Sequence, residues 1–293
     1  MNIYDCFMYF DEDMLLDLRL NALDQYVEKF IITESTYMHS GKSKKLNFDI
    51  KKFPKFKDKI EHIIIDKLPP GIEEIHTNDP IEIKNRKILD NSLKRENNQR
   101  NSLIQGFNKI DDNDIVLLSD LDEIPNLKNF KFKNKLTLFV QKVFYYKFNL
   151  MQPNFDWIGT RACKKKHLIS PQWLRNIKDK SYPYWRLDTF FSEKKYMNIN
   201  YIHDGGWHFT CMKNPKNIHY KLSNFMHHLE FEESGLKVSD MERMVKEKKV
   251  LYNHMADKRE NKYTGEQKLV KVSNNILPEY LKANLSEYKE WLD

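Results

Sequence analysis

The sequence predicts an α/β fold built on a mostly parallel sheet, flanked by helices. Three observations carry that prediction. Strand-like and helix-like segments alternate over the first ~120 residues, the pattern of parallel β–α units. The strand segments there are short and wholly apolar, as in sheets covered on both faces. The second half is instead rich in Tyr, Trp and Phe, is punctuated by Pro171, Pro183, Gly205-Gly206 and Pro215, and reads as mixed strands and loops.

Taken in order, Asn2 to Phe10 alternates and reads as a strand. Leu16, Leu20, Leu23, Val27 and Phe30 recur at helical spacing and predict an amphipathic helix. Phe30-Ile31-Ile32-Thr33 is a second strand, ending at Glu34-Ser35-Thr36, and His62 to Ile65 is a third. Between them, Ser40 to Lys45 is a polar loop. Ser92 to Phe107 reads as a helix, and Ile115-Val116-Leu117-Leu118 as a fourth, buried strand. Leu136 to Phe148 is an aromatic-rich strand region. A helix is expected from about Asp240, opened by the capping box Ser239-x-x-Glu242. Leu277 to Trp291 reads as a last amphipathic helix.

The chain has 293 residues, 40% of them hydrophobic and 13% aromatic, which supports a real core and excludes a disordered chain. No apolar stretch approaches the length of a membrane span. The opening Met1-Asn2-Ile3-Tyr4-Asp5-Cys6 lacks the basic and apolar regions of a signal peptide. Cys6, Cys163 and Cys211 show no CxxC spacing; they exclude a disulfide framework and fit a reducing, cytoplasmic setting. The net charge of +7 invites a nucleic-acid reading, but only nine of the 49 basic residues are Arg. Lys scattered among Asn and Glu points to a solvated surface, or to attraction for anionic lipid or substrate, rather than to nucleic acid. Arg19, Arg95, Arg100 and Arg175 stand out because they lie near motifs.

The sharpest motif is Asp120-Leu121-Asp122-Glu123, directly after a buried strand. Ligands in open α/β sheets sit at the carboxyl ends of strands. Two carboxylates there call for a positive partner, and Mg²⁺ or Mn²⁺ bridging a diphosphate is the natural one. A solvated turn closed by Pro125 is the plain alternative. Glu34 opens on the same sheet edge, suited to a ribose or base, or to a loop contact. Arg95 and Arg100, five apart, do not share one helix face, so one can face the site and the other solvent. In His203-Asp204-Gly205-Gly206-Trp207-His208, the glycines allow close approach to a ligand and Trp207 offers a sugar-stacking surface. His208 is a candidate third metal ligand or a core histidine. The dinucleotide, Walker A, zincin and nucleophile-elbow signatures are absent.

Read together, these segments resemble glycosyltransferase family 17, which includes the enzyme adding the bisecting N-acetylglucosamine of N-glycans. The resembling stretches are Ile3 to Met8, Glu12 with Leu15 to Asn21, Phe30 to Tyr37, His39 to Lys42, Asp120 to Pro125, Gly206 to Phe209 and, in kind, Leu277 to Leu281. The resemblance implies a GT-A fold in one unit, a Rossmann-like nucleotide half over residues 1–125 and an acceptor half with C-terminal helices over 126–293. It implies a UDP-sugar donor, foremost UDP-GlcNAc, a divalent metal and inversion at the anomeric carbon. In that picture Asp122 holds the metal and Asp120 sits on metal or ribose, while Glu34 and Arg100 face the nucleotide. Glu12 and Arg19 line the uridine pocket or pair with each other, and Trp207 and His208 close the site. Glu123 is preferred over Asp204 as general base. Animal members carry an N-terminal membrane segment; this chain starts at its first strand and resembles the soluble microbial or viral type. That admits a lipid-linked saccharide as acceptor beside an N-glycan, with peripheral contact at the inner membrane face. The rival readings are a metal-dependent phosphodiesterase and an inactive glycan- or RNA-binding relative.

Overall fold

The computed structural model describes residues 1–293 other than 181, 190, 254–261 and 264. Strand β1 (Ile3–Met8) alternates between two apolar layers: Tyr4 and Cys6 join one buried cluster, and Phe7 joins the other. Helix α1 (Asp13–Leu23) then buries Leu15, Leu16, Leu18, Leu20 and Leu23 on the Phe7 side. It stops well before the expected Phe30, because Lys29–Ser35 forms β2. Strand β3 (Ile60–Ile65) follows as predicted. Helix α2 (Ile81–Asn101) starts eleven residues before the expected Ser92 and ends in a 3₁₀ segment, Ser102–Lys109. Its early turns leave Ile81 and Ile83 exposed, and its buried residues are Asn91, Ser92, Gln99 and Arg100, so no apolar stripe announces it.

Strand β4 (Ile115–Leu118) coincides with its prediction. The remaining strands are β5 (Glu123–Pro125), β6 (Leu136–Tyr145), β7 (Leu150–Lys164), β8 (Ile199–Ile202), β9 (Gly206–Thr210) and β10 (Val270–Lys271). Helix α3 (Pro171–Arg175) lies after β7, and α4 (Pro215–Leu222), α5 (His228–Glu233) and α6 (Val238–Lys246) follow β9. The expected capping box does not form, since Ser239 is already helical; Asp240 instead accepts from the Lys237 backbone N–H at 2.9 Å. The predicted last helix is broken into α7 (Glu279–Ala283) and a 3₁₀ turn at Lys289–Trp291.

One mixed sheet joins the described strands in the order β3-β2-β1-β4-β7-β6-β9-β5, with β8 and β10 added at β6 and β7. The β3-β2-β1-β4 part is parallel, and the sheet turns antiparallel at β4–β7. Parallel connections bring the carboxyl ends of β1, β2 and β4 to one edge. The second half meets that edge through β9, which pairs antiparallel with β5 and parallel with β6. The three cysteines are free. Among the described residues no helix is long and apolar enough to cross a membrane.

Candidate functional site

The segment leaving β4 is shaped from below by one buried arginine. Asp5 on β1 points to the face that α1 covers, and Arg19 of α1 meets it with a two-pronged ion pair, both bonds 2.7 Å. The rest of the guanidinium donates to the carbonyls of Asp120, Leu121 and Glu123 at 3.1, 3.0 and 2.9 Å, and to Ser119 Oγ at 2.5 Å. Arg19 is therefore committed to Asp5 and the loop and is not paired with Glu12. It is fully buried and holds the loop's backbone.

Above this support, Asp120 and Glu123 share Arg175 of α3. Its guanidinium contacts Asp120 Oδ2 at 2.7 Å and both Glu123 oxygens at 2.8 and 2.9 Å. Arg100 reaches Asp120 Oδ1 at 3.2 Å while also bonding Glu96 and Gln172. Burial alone would raise the Asp120 carboxyl, but Arg175 and Arg100 outweigh it and hold it well below the usual range. Glu123 also accepts from Trp157 Nε1 at 2.6 Å and the Asp120 backbone N–H at 2.9 Å. Gly159 makes room for this arrangement: a Cβ there would stand 3.2 Å from the Glu123 carboxyl carbon and 1.7 Å from Gln141 Oε1. With four hydrogen bonds, a buried position and a lowered carboxyl, Glu123 is spent as a structural anion and is a poor general base.

Asp122 differs. Among the described residues its carboxylate accepts no hydrogen bond; it faces His208 Nε2 at 3.7 Å and Lys221 Nζ at 3.6 Å. Burial raises its carboxyl above the ordinary value despite Lys221 and His208, with Asp120 and Glu123 adding to the rise. His208 packs on Trp157, ring centroids 5.4 Å apart, and its buried Nδ1 has no hydrogen-bond partner among the described residues. Lys221, on α4, also bonds Glu12 Oε1 at 2.9 Å. Glu12 is the N-cap of α1, but its carboxylate turns back to the N–H groups of Phe10 and Asp11. Burial would raise it; Lys221 and Lys213 pull it down to about 2.

Three expected residues lie outside this cluster. Glu34 is buried at the end of β2 and secures the loop beyond it, accepting from Lys44, from Asn47 N–H at 2.7 Å and from Phe48 N–H at 3.2 Å. Trp207 and His208 are neighbours on β9 and so face opposite sides of the sheet. Trp207 points away from Asp122 and donates to the Ile276 carbonyl at 2.7 Å. Asp204 is exposed on a turn with φ of 54°, beyond the Gly206–Pro125 end of the β5–β9 pair, whereas His208 is opposite Glu123. That puts it on the order of 10 Å along the strand from the carboxylates. The glycines after it serve strand packing rather than a ligand: a Cβ on Gly206 would lie 2.2 Å from the Ile124 carbonyl.

Among the described residues no group of three or more His, Cys, Asp or Glu side chains is arranged to hold a metal ion by itself. Mg²⁺ and Mn²⁺ need no such group, since one or two protein ligands suffice when diphosphate and water complete the shell. Asp122 and His208 fit that demand as an oxygen and a nitrogen donor. Asp120, bound by two arginines, does not. Of the cluster's members, Lys221 and Trp157 carried no sequence signal, since neither sits in a motif. Arg175 stood out as one of four arginines near a motif, but with no role attached. Arg95 packs on the 38–43 loop, donating to the His39 carbonyl at 3.1 Å. The two helix arginines thus diverge as their spacing requires, with Arg100 alone at Asp120.

The cluster gathers Glu12, Asp120, Asp122 and Glu123 against Arg100, Arg175, Lys221 and His208 where β1 and β4 end. Beside it, the 38–43 loop and α4 line a cavity of about 540 Å³, with Lys42, Lys216, His219 and Tyr220 on its wall. No functionally curated protein matches the chain. The family model Glycosyltransferase family 17 matches residues 1–292, a span that takes in both the sheet edge and the strand and helix that close on it. The chain therefore belongs to glycosyltransferase family 17, and its enzymatic work is glycosyl transfer.

Proposed function

We propose that the protein is an inverting, metal-dependent glycosyltransferase of GT-A type, moving GlcNAc from UDP-GlcNAc to a hydroxyl of a glycan or lipid-linked saccharide. The observation that carries this reading is Asp122, a buried carboxylate at a strand's carboxyl end that accepts no hydrogen bond among the described residues and has an imidazole 3.7 Å away. Residues 1–125 take the nucleotide and 126–293 the acceptor. Asp122 and His208 would hold Mn²⁺ or Mg²⁺, which would supply positive charge against the departing diphosphate.

The chain's own residues do the rest. Lys221 brings a second cation to the same place, and burial is outweighed by Glu12 and Asp122, which keep its ammonium charged. Asp120, fixed by Arg100 and Arg175, stays anionic and accepts from a ribose hydroxyl. Of the two expected bases, Glu123 is spent and Asp204 is remote. Asp11 meets the requirement better: it is partly exposed beside Glu12, and burial and Glu12 raise its carboxyl despite Lys213. Asp11 takes the proton from the acceptor hydroxyl as that oxygen attacks the anomeric carbon and the bond to UDP breaks.

The test is thermal unfolding of the chain with UDP-, GDP- and CMP-sugars, each with and without Mn²⁺. Stabilisation by UDP-GlcNAc with Mn²⁺, lost in Asp122→Ala, is the expected result; saturation at a hundred times Kd is worth about 2.7 kcal/mol. No shift with any nucleotide sugar at millimolar concentration would overturn the donor assignment.

A further inference from the structure

Beyond α3 the chain makes an excursion whose base is pinned and whose tip is apolar. The Lys178 backbone N–H donates to the Lys194 carbonyl at 2.8 Å, and buried Trp173 donates from Nε1 to the Glu193 carbonyl at 2.6 Å. The tip is built by polar contacts: Arg186 and Lys195 hold Asp188 at 2.6 and 2.8 Å, and Thr189 Oγ1 donates to the Arg186 carbonyl at 2.6 Å. Four large side chains face outward. Tyr184 is 82% exposed, Trp185 65%, Leu187 70% and Phe191 92%. The Tyr184 and Trp185 rings sit edge to face, 5.1 Å between centroids.

Such a cluster of exposed aromatic and aliphatic side chains marks a contact surface. Its charge identifies the partner. Residues 178–195 hold five basic against three acidic side chains, and Asp188 is already neutralised within the tip. Lys178, Lys180 and Lys194 are exposed around the base. Lys135 lines the cavity of about 430 Å³ beneath Phe191, and its ammonium lies 5.3 Å from the Tyr196 ring centroid. Lys135, Lys164 and Lys166 all lie near enough to His167 to join its burial in lowering its pKa. Protein interfaces are depleted in Lys, whereas Trp and Tyr with a Lys fringe suit the headgroup layer of an anionic bilayer.

We propose that the excursion between Lys178 and Lys194 is a membrane-docking surface, its tip entering the headgroup region and its lysines meeting anionic lipid. Arg175 lies three residues before Lys178, so docking holds the carboxylate cluster beside the membrane surface. The inference needs neither the donor nor the metal assigned above.

The full chain is sedimented with vesicles of phosphatidylcholine alone and of phosphatidylcholine with phosphatidylglycerol, without nucleotide sugar. The expected result is binding to the anionic vesicles only, weakened by salt. The double variant Trp185→Ser/Phe191→Ser lowers the partition coefficient about ten-fold or more. Lys180→Glu/Lys194→Glu removes the preference for anionic lipid. All four side chains are exposed, so the unfolding temperature stays unchanged and a folding defect is recognised separately. Absence of sedimentation with anionic vesicles, or binding that neither variant weakens, overturns the proposal. Self-association that Trp185→Ser/Phe191→Ser abolishes, without vesicle binding, assigns the tip to a protein partner instead and overturns it as well.

Discussion

Lys221 donates to Glu12 across the crevice at 2.9 Å, tying a helix of the second half to the turn after the first strand. The same ammonium stands 3.6 Å from Asp122. Removing one partner of a buried ionic cluster costs more than the pair contributes, because the remaining charges stay desolvated. Lys221→Met is expected to lower stability by about 2–4 kcal/mol in urea titrations and to depress turnover. Full stability in this variant would show that Glu12 and Asp122 are hydrated instead.

Asp122 has the opposite balance. Its carboxyl is raised, so the folded protein holds the charged form less well than the unfolded chain does. Asp122→Asn is therefore expected to leave the ligand-free protein as stable as the parent or slightly more so, while abolishing measurable transfer. Paired melting curves and turnover assays check this; a large drop in melting temperature would mark Asp122 as structural.

Arg19 answers to the structure alone. It makes six hydrogen bonds in complete burial, two of them the ion pair with Asp5. Arg19→Met strands Asp5 and three carbonyls and is expected to cost about 3–5 kcal/mol. Arg19→Lys keeps the charge but cannot reproduce the fork, so it restores only part of that loss. Equal stability of Arg19→Lys and the parent would refute the fork's importance.

Acid should loosen the crevice through Glu12. Its folded value of about 2 lies below the ordinary 4.5, so its contribution is present above 4.5 and is lost as pH falls from there to about 2. Asp122 runs the other way: its contribution is present at low pH and is lost as pH rises through its raised value. Stability of the parent is expected to fall on acidification through the Glu12 window, with a shallower slope in Glu12→Gln. Identical slopes would remove Glu12 from the account.

The strands that frame the site were legible because they are short apolar runs, and β4 matched its expected bounds. The carboxylate motif was legible because it follows one of them. Helix α2 was half hidden, since its buried face is Gln99 and Arg100 rather than an apolar stripe. The roles of neighbouring residues were harder still. Glu123 and Asp122 are adjacent in sequence, yet among the described residues one carboxylate accepts four hydrogen bonds and the other none, and the difference comes from Arg175 and Trp157, 52 and 34 residues away. Trp207 read as a sugar platform, but strand alternation turns it toward the tail.

Arg19 grips the loop through the carbonyls of residues 120, 121 and 123, contacting none of the side chains at those positions. Much of the loop's contour is consequently specified from outside the loop; within it, Glu123 adds a bond from the Asp120 N–H. A lineage, or an engineer, can exchange Asp122, whose carboxylate accepts no hydrogen bond among the described residues, and keep the same contour. Altered ligand preference is thus accessible by substitution at that position, without rebuilding the scaffold beneath it.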